Sequence, residues 1–241
     1  MFNRDGLFCK ERVLRVVSLE EKDVLRLLKG LDREGTHIRL IPGNYGVDIK
    51  LQIEARNEQV AASLLSTLEE EVRRRLGDNI YGVNNETLER IVGYLLYLRR
   101  LTLSIAESCT GGLVSNLVTN VSGSSKYFKG GIVAYSNESK IKFLRVPKEI
   151  IERFGAVSQE TARFMAKGVK DAFSTDIGIG ITGIAGPTGG TSDKPVGLTY
   201  ISLSSKNGSL CRMFTFKGSR EDIKFKASYA SLDIIRRKLQ D

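Results

Sequence analysis

Three times in the later part of this 241-residue chain a short apolar run stops abruptly in small, hydroxyl-bearing and glycine residues. The runs cover 101–106, 132–135 and 177–182. They give way to Glu107-Ser108-Cys109-Thr110-Gly111-Gly112, to Ser136-Asn137-Glu138-Ser139-Lys140, and to Gly183-Ile184-Ala185-Gly186-Pro187-Thr188-Gly189-Gly190-Thr191. Runs this short, bounded by turn residues, read as buried strands, and the first two lead into segments with helical spacing. Strands alternating with helices predict an α/β layered domain. In open sheets of that kind ligands bind in the crevice beyond the strand ends, so the three junctions are where chemistry is expected.

The surrounding pattern fits. A helix is predicted over 86–99 with Leu88, Val92, Leu95 and Leu96 on one side, and another carries Leu113, Leu117, Val118 and Val121. A short helix follows over 138–144. Ser158 reads as the N-cap of a helix running to Phe173, with Glu160 in its first turn. Residues 196–204 and 210–216 form an expected hairpin across Lys206-Asn207-Gly208, and Ser219-Arg220-Glu221-Asp222 opens the last helix as an S-x-x-D cap.

The first part of the chain differs in kind. Residues 1–85 carry 14 basic and 14 acidic side chains, whereas 86–241 carry 23 and 14 and so hold the whole net charge of +9. The division is expected near Gly82 to Asn85, giving an accessory module over 1–84 and a main domain over 85–241. The module reads β-α-β-β-α: a strand over 12–19, a helix over 20–31, strands over 37–41 and 47–55, and a long amphipathic helix over 59–76 with Val60, Leu64, Leu68 and Val72 at four-residue steps. Its charged triplets, Glu69-Glu70-Glu71 and Arg73-Arg74-Arg75, read as a solvated helix face. Gly43-Asn44-Tyr45-Gly46 has the G-x-x-G form of a KH nucleic-acid clamp, but it falls between strands and reads as a hairpin turn. A segment of zero net charge also lacks the electrostatic footprint of a nucleic-acid binder.

Composition narrows the chemistry. The single histidine, His37, lies far from every glycine-rich junction, which excludes histidine-dependent hydrolysis. Cys9, Cys109 and Cys211 form no C-x-x-C pair and no secretory leader precedes them, so a reducing cytoplasm is expected. The longest apolar stretches, such as 92–98, fall well short of the ~20 residues that cross a bilayer, and no membrane partner is expected.

At the first junction Ser108, with Thr110, Gly111 and Gly112 opening a helix, can combine a nucleophile with an oxyanion or phosphate cradle, or can simply cap that helix. At the second, Lys140 sits where the positive end of a helix disfavours a cation. To act as a base near neutral pH its pKa must fall from ~10.4 to ~7–8, about 4 kcal/mol of differential interaction. Burial and neighbouring Lys142 would push that way; a solvated surface lysine is the other reading. The third junction, Thr182-Gly183-Ile184-Ala185-Gly186 and beyond, lets backbone approach a ligand closely or forms a flexible surface loop, and it lacks the order of a Walker A loop. Arg220 can pair with a phosphate. Cys109 is an alternative nucleophile at a helix N-terminus.

Taken in order and spacing, Ala-Glu-Ser-Cys-Thr-Gly-Gly (106–112), Tyr-Ser-Asn-Glu-Ser-Lys (135–140), Gly-Ala-Val-Ser (155–158), Thr-Gly-Ile-Ala-Gly-Pro (182–187) and Lys-Pro-Val-Gly (194–197) resemble the C-terminal domain of CinA-type proteins. The resemblance implies a layered α/β amidohydrolase domain that deamidates nicotinamide mononucleotide, the activity called PncC when the domain stands alone. By the same resemblance Ser108 is the nucleophile, Lys140 its base, and Tyr135 orients the pair. Thr110, Gly111, Gly112, Thr182, Gly183 and Gly186 hold the carbonyl oxygen or substrate, and Arg220 holds the 5′-phosphate. It implies neither metal nor organic cofactor, and a homodimer. Residues 1–84 resemble the linker module of the longer CinA proteins, whose molybdopterin-binding-like domain has no counterpart in this sequence; its associated ADP-ribose pyrophosphatase activity is not expected here. Ser139 departs from the family's usual alanine.

Overall fold

The computed structural model describes residues 7–43 and 45–240. The chain falls into two compact units, the first ending at Leu88 and the second beginning at Glu89.

The first unit runs β1 (Phe8–Val16), α1 (Glu21–Leu28), β2 (Thr36–Gly43), β3 (Gly46–Ala55), α2 (Glu58–Leu76) and β4 (Ile80–Val83). The four strands form an antiparallel sheet in the order β2-β3-β1-β4. Strand β4 was not anticipated: at four residues it is too short to show alternation, and it takes its place by pairing with β1 across the whole unit. Gly43 pairs with Gly46 at the β2–β3 hairpin, so the G-x-x-G segment joins strands; Asn44 lies outside the described residues. The core gathers Leu14, Ile49, Leu51 and Ile53 from the sheet against Ala61, Leu65, Val72 and Leu76 of α2. Asn57 caps α2 by accepting from the N–H groups of Gln59 and Val60.

In the second unit the elements are α3 (Leu88–Leu98), β5 (Leu103–Glu107), α4 (Leu113–Thr119), β6 (Phe128–Val133), α5 (Asn137–Leu144), α6 (Lys148–Phe154), α7 (Gln159–Phe173), β7 (Ile177–Gly183), β8 (Leu198–Ser205), β9 (Gly208–Thr215) and α8 (Arg220–Gln240). The sheet order is β6-β5-β7-β8-β9, with β6, β5 and β7 parallel and β8 and β9 antiparallel to their neighbours. This is the expected α/β architecture. Helix α6 is an addition to the sequence reading, and the observed strands start or stop up to four residues from the expected bounds, β6 most of all.

Interior strand β5 is buried along its whole length. In β7 the alternation Ile177-Gly178-Ile179-Gly180-Ile181 puts isoleucines on one face and glycines on the other. A Cβ at Gly178 or Gly180 would run into the backbone of Ala166 or Ala162, so the glycines are what let α7 settle against the sheet. The predicted caps form: Ser158 Oγ accepts from Thr161 N–H, and Ser219 and Asp222 exchange hydrogen bonds at the head of α8. Among the described residues no helix is long and apolar enough to cross a membrane.

Candidate active site

Parallel pairing brings three strand ends to one edge. Glu107 of β5 stands opposite Val133 of β6 and Ile181 of β7, so the residues just beyond these strands become neighbours. Two backbone bonds extend the pairing past the ladder: Ser108 N–H donates to Ile181 O at 3.0 Å and Ala134 N–H to Glu107 O at 2.8 Å. The crevice beyond the strand ends therefore contains the first two junctions and the start of the third.

Ser108 and Lys140 meet there. Ser136 Oγ accepts from Ser139 N–H and so starts α5, and the helix turns Lys140 inward until 1% of it remains exposed. Lys140 Nζ lies 3.1 Å from Ser108 Oγ, 2.9 Å from Ala134 O and 3.1 Å from Tyr135 O. The carbonyls can only accept. An ammonium donates to all three oxygens; a neutral amine keeps its two N–H groups on the carbonyls and turns its lone pair toward the Ser108 hydroxyl. Burial pushes the Lys140 pKa below its usual 10.5, against opposing contributions from Cys109 and Glu138. Desolvation is the dominant cause, and Lys142 is not among the groups that shift it. Ser139 fits the cap: its hydroxyl donates back to Ser136 O at 2.8 Å.

The serine turn is held from behind by a residue that sequence reasoning passed over. Glu107, fully buried, accepts from the N–H groups of Gly112 (2.9 Å), Val114 (3.2 Å) and Ser115 (2.8 Å) and from the Ser115 hydroxyl (2.7 Å). A carboxylate thus closes the N-terminus of α4 from the strand before it. Amides of the turn itself are engaged as well: Gly112 N–H donates to Glu107, and Gly111 N–H returns to Ser108 O at 3.1 Å. Among the described hydrogen bonds the N–H groups of this turn without an oxygen acceptor are those of Cys109 and Thr110, both beside the Cys109 sulfur. The Thr110 side chain is fully buried, and its hydroxyl has no hydrogen-bond partner among the described residues.

Cys109 is itself buried, and that burial pushes its thiol up to about 12. The helix N-terminus does not offset that burial, so the thiolate that a cysteine nucleophile needs is disfavoured.

Tyr135 reaches Lys140 through its main chain. Its backbone carbonyl grips Lys140, while its side chain, 60% exposed, turns away and accepts from Arg220 Nη2 at 2.9 Å. Arg220 Nη1 also donates to Gly186 O at 2.7 Å, drawing the glycine loop, the second junction and the head of α8 together. Thr182 Oγ1 donates to Ala156 O at 2.7 Å, and Gly183 packs against Leu198 and Thr199 with no room for a Cβ; both shape the wall of the crevice. Lys194, which the sequence offers only as part of the 194–197 motif and without a role, donates to Phe154 O (2.7 Å) and Val157 O (2.9 Å) and fastens the loop that leads into α7. Charge on either residue's sequence neighbours gave no sign of these roles; the small-residue motif around Ser108 was the one available signal for Glu107. Among the described residues no three His, Cys, Asp or Glu side chains converge in a metal-binding group.

Comparison with known proteins identifies relatives of both units. Residues 85–239 match the CinA C-terminal domain, and residues 11–82 match the Damage-inducible protein CinA KH domain. A putative competence-damage inducible protein of Moorella thermoacetica is 45% identical over 232 residues, and a CinA-like protein of Kosmotoga olearia 44% over 230; each alignment covers 95% of this chain and 56% of the relative. The chain thus spans little more than half the length of these relatives. Among solved structures, the competence/damage inducible protein CihA of Agrobacterium tumefaciens superposes with a TM-score of 0.62 at 35% identity, covering 64% of this chain and 94% of that one. A CinA superfamily protein of Enterobacter cloacae gives 0.62 at 30% identity, covering 67% and 97%. With its C-terminal 85–239 matched across the site just described, the chain belongs to the CinA family.

Proposed function

We propose that the second unit is a serine–lysine amidohydrolase whose substrate is nicotinamide mononucleotide, working in the cytoplasm. The observation that carries this reading is the buried Lys140 amine, held by two carbonyls and directed at Ser108 Oγ at 3.1 Å. A lysine desolvated to this degree, with a hydroxyl within hydrogen-bond reach, is the pairing that nucleophilic catalysis without histidine requires.

In this mechanism Ser108 Oγ attacks the carboxamide carbon as Lys140 Nζ takes the hydroxyl proton. The tetrahedral oxyanion is met by the N–H groups of Cys109 and Thr110, at the end of α4 where Glu107 already holds the amides of Gly112, Val114 and Ser115. Lys140 then returns the proton to the departing nitrogen, ammonia leaves, and an acyl-serine ester remains. Water, deprotonated by the same amine, hydrolyses the ester to nicotinate mononucleotide and restores Ser108. Each proton taken is given back, so the net reaction is amide plus water to acid plus ammonia.

The match of 11–82 to a KH-named domain raises a nucleic-acid reading, but most of the unit's described basic side chains sit against carboxylates of their own. Lys10 pairs with Glu58, Arg12 and Arg73 with Glu69, Arg15 with Asp48, and Lys50 with Glu11. Ammonia release from nicotinamide mononucleotide, measured beside nicotinamide, its riboside and unrelated amides, tests the assignment. Preferred release from the nucleotide supports it, and turnover of other amides with none of the nucleotide contradicts it.

A further inference from the structure

Three cations lie on the first two turns of α8: Arg220, Lys224 and Lys226. Two are occupied within the chain. Arg220 donates to Gly186 O at 2.7 Å and to Tyr135 Oη at 2.9 Å, and Lys226 donates to Lys217 O at 2.7 Å. Among the described hydrogen bonds and ion pairs Lys224 Nζ has no partner, although the residue is half-buried. Its position is defined by Gly111: a Cβ on that glycine would have the Lys224 ammonium 3.7 Å away as its nearest neighbour. Gly111 belongs to the turn whose N–H closes on Ser108 O at 3.1 Å, so an unpaired ammonium overlooks the nucleophile's own turn from the side of α8.

We propose that Lys224 is the residue that selects a phosphomonoester on the substrate, and that Arg220 is chiefly a frame residue for the mouth of the site. This rests on the deamidase reading of Ser108 and Lys140 and revises the phosphate assignment within it. The helix terminus is not an alternative anchor, because Asp222 already closes it: its carboxylate accepts the Ser219 N–H and hydroxyl, both at 2.8 Å. Of the two acidic residues on that turn, Asp222 is therefore engaged in the cap, and Glu221 is exposed. Arg220 commits part of its donor fork to a carbonyl and a phenol that no substrate need displace, tying the Tyr135 side chain to the glycine loop. Lys224 keeps all its donors for an incoming anion, and a charge-assisted bond to a phosphate oxygen supplies a partner that the chain itself does not. Removing it should act on the phosphorylated substrate alone, whereas disturbing the frame should act on any substrate.

The test compares wild type, Lys224→Met, Lys224→Arg and Arg220→Met on nicotinamide mononucleotide and on its riboside. Calorimetric titration of the mononucleotide and the riboside into Ser108→Ala protein, with and without Lys224→Met, runs in parallel. Lys224→Met is expected to lower the nucleotide-to-riboside ratio of kcat/KM at least tenfold, mainly through KM. Lys224→Arg should restore most of that ratio, and Arg220→Met should lower turnover of both substrates. Equal losses on both substrates in Lys224→Met, or an unchanged ratio, overturn the proposal while leaving the deamidase reading in place. Lys224-dependent binding of the mononucleotide without ammonia release would do the reverse. Neither binding nor release defeats both.

Discussion

The Glu107 carboxylate closes on Ser115, accepting its N–H at 2.8 Å and its hydroxyl at 2.7 Å, while its other oxygen takes the N–H of Gly112. One buried acid thereby fixes where β5 ends, where α4 begins, and the shape of the turn between them that presents Ser108. Glu107→Gln keeps the volume but sets an amide N–H₂ against backbone donors. Each charge-assisted bond contributes ~1.5–3 kcal/mol, so the substitution is expected to lower stability by about 2–3 kcal/mol. Urea unfolding followed by circular dichroism measures it; a variant as stable as wild type would show that the carboxylate is not what holds the turn.

Lys140→Arg should lower kcat by ~10²-fold or more with the fold retained, because a guanidinium cannot surrender its proton near neutrality. Lys140→Met adds a stability signature. The native pKa lies below 10.5, so between that pKa and 10.5 the unfolded chain binds more protons and wild-type stability rises with pH. The methionine variant lacks that rise, and unfolding titrations of the two proteins across this window should converge or cross accordingly. Parallel curves would mean that Lys140 is not desolvated.

Cys109 is expected to be chemically silent. With its thiol pushed up from 9.0 to about 12, iodoacetamide at neutral pH should leave it unmodified in the native protein, as read by peptide mass spectrometry, and Cys109→Ala should retain turnover within a few-fold. The linkage has the opposite sign from that of Lys140. The native thiol holds its proton longer than the unfolded one, so this group's contribution to stability is complete below 9.0 and is lost as pH climbs toward 12.

Thr182→Val removes the hydroxyl that donates to Ala156 O at 2.7 Å and leaves that carbonyl without its partner. A loss of ~1 kcal/mol in stability is expected. Because the bond fastens the loop beside the crevice, KM should rise more than kcat falls. Steady-state kinetics reads the split, and a fall in kcat alone would place Thr182 in the chemistry instead.

Local pattern carried the sequence reading far where the physics is local. Helix caps at Ser158 and Ser219, the isoleucine run of β7, and the hairpin at Gly43 and Gly46 all depend on neighbours in the chain. The pairing of Ser108 with Lys140 is what the family resemblance implies; the fold supplies its physical reason, since both follow strands and adjacent parallel strands bring their ends together. What stayed hidden depends on partners that no spacing reveals. Strand β4 is defined by β1, the Glu107 carboxylate by amides on the far side of a turn, and Lys194 by carbonyls of Phe154 and Val157. The sequence names Tyr135 without saying which of its atoms acts; its carbonyl faces Lys140 and its phenol faces Arg220.

The central claim is that a neutral Lys140 accepts the Ser108 proton, and the pH dependence of kcat/KM for ammonia release from nicotinamide mononucleotide tests it most directly. The account expects an ascending limb with a midpoint below 10.5 in wild type, and no such limb in the residual activity of Lys140→Met. A flat wild-type profile, or a limb that survives unchanged in the variant, would contradict it.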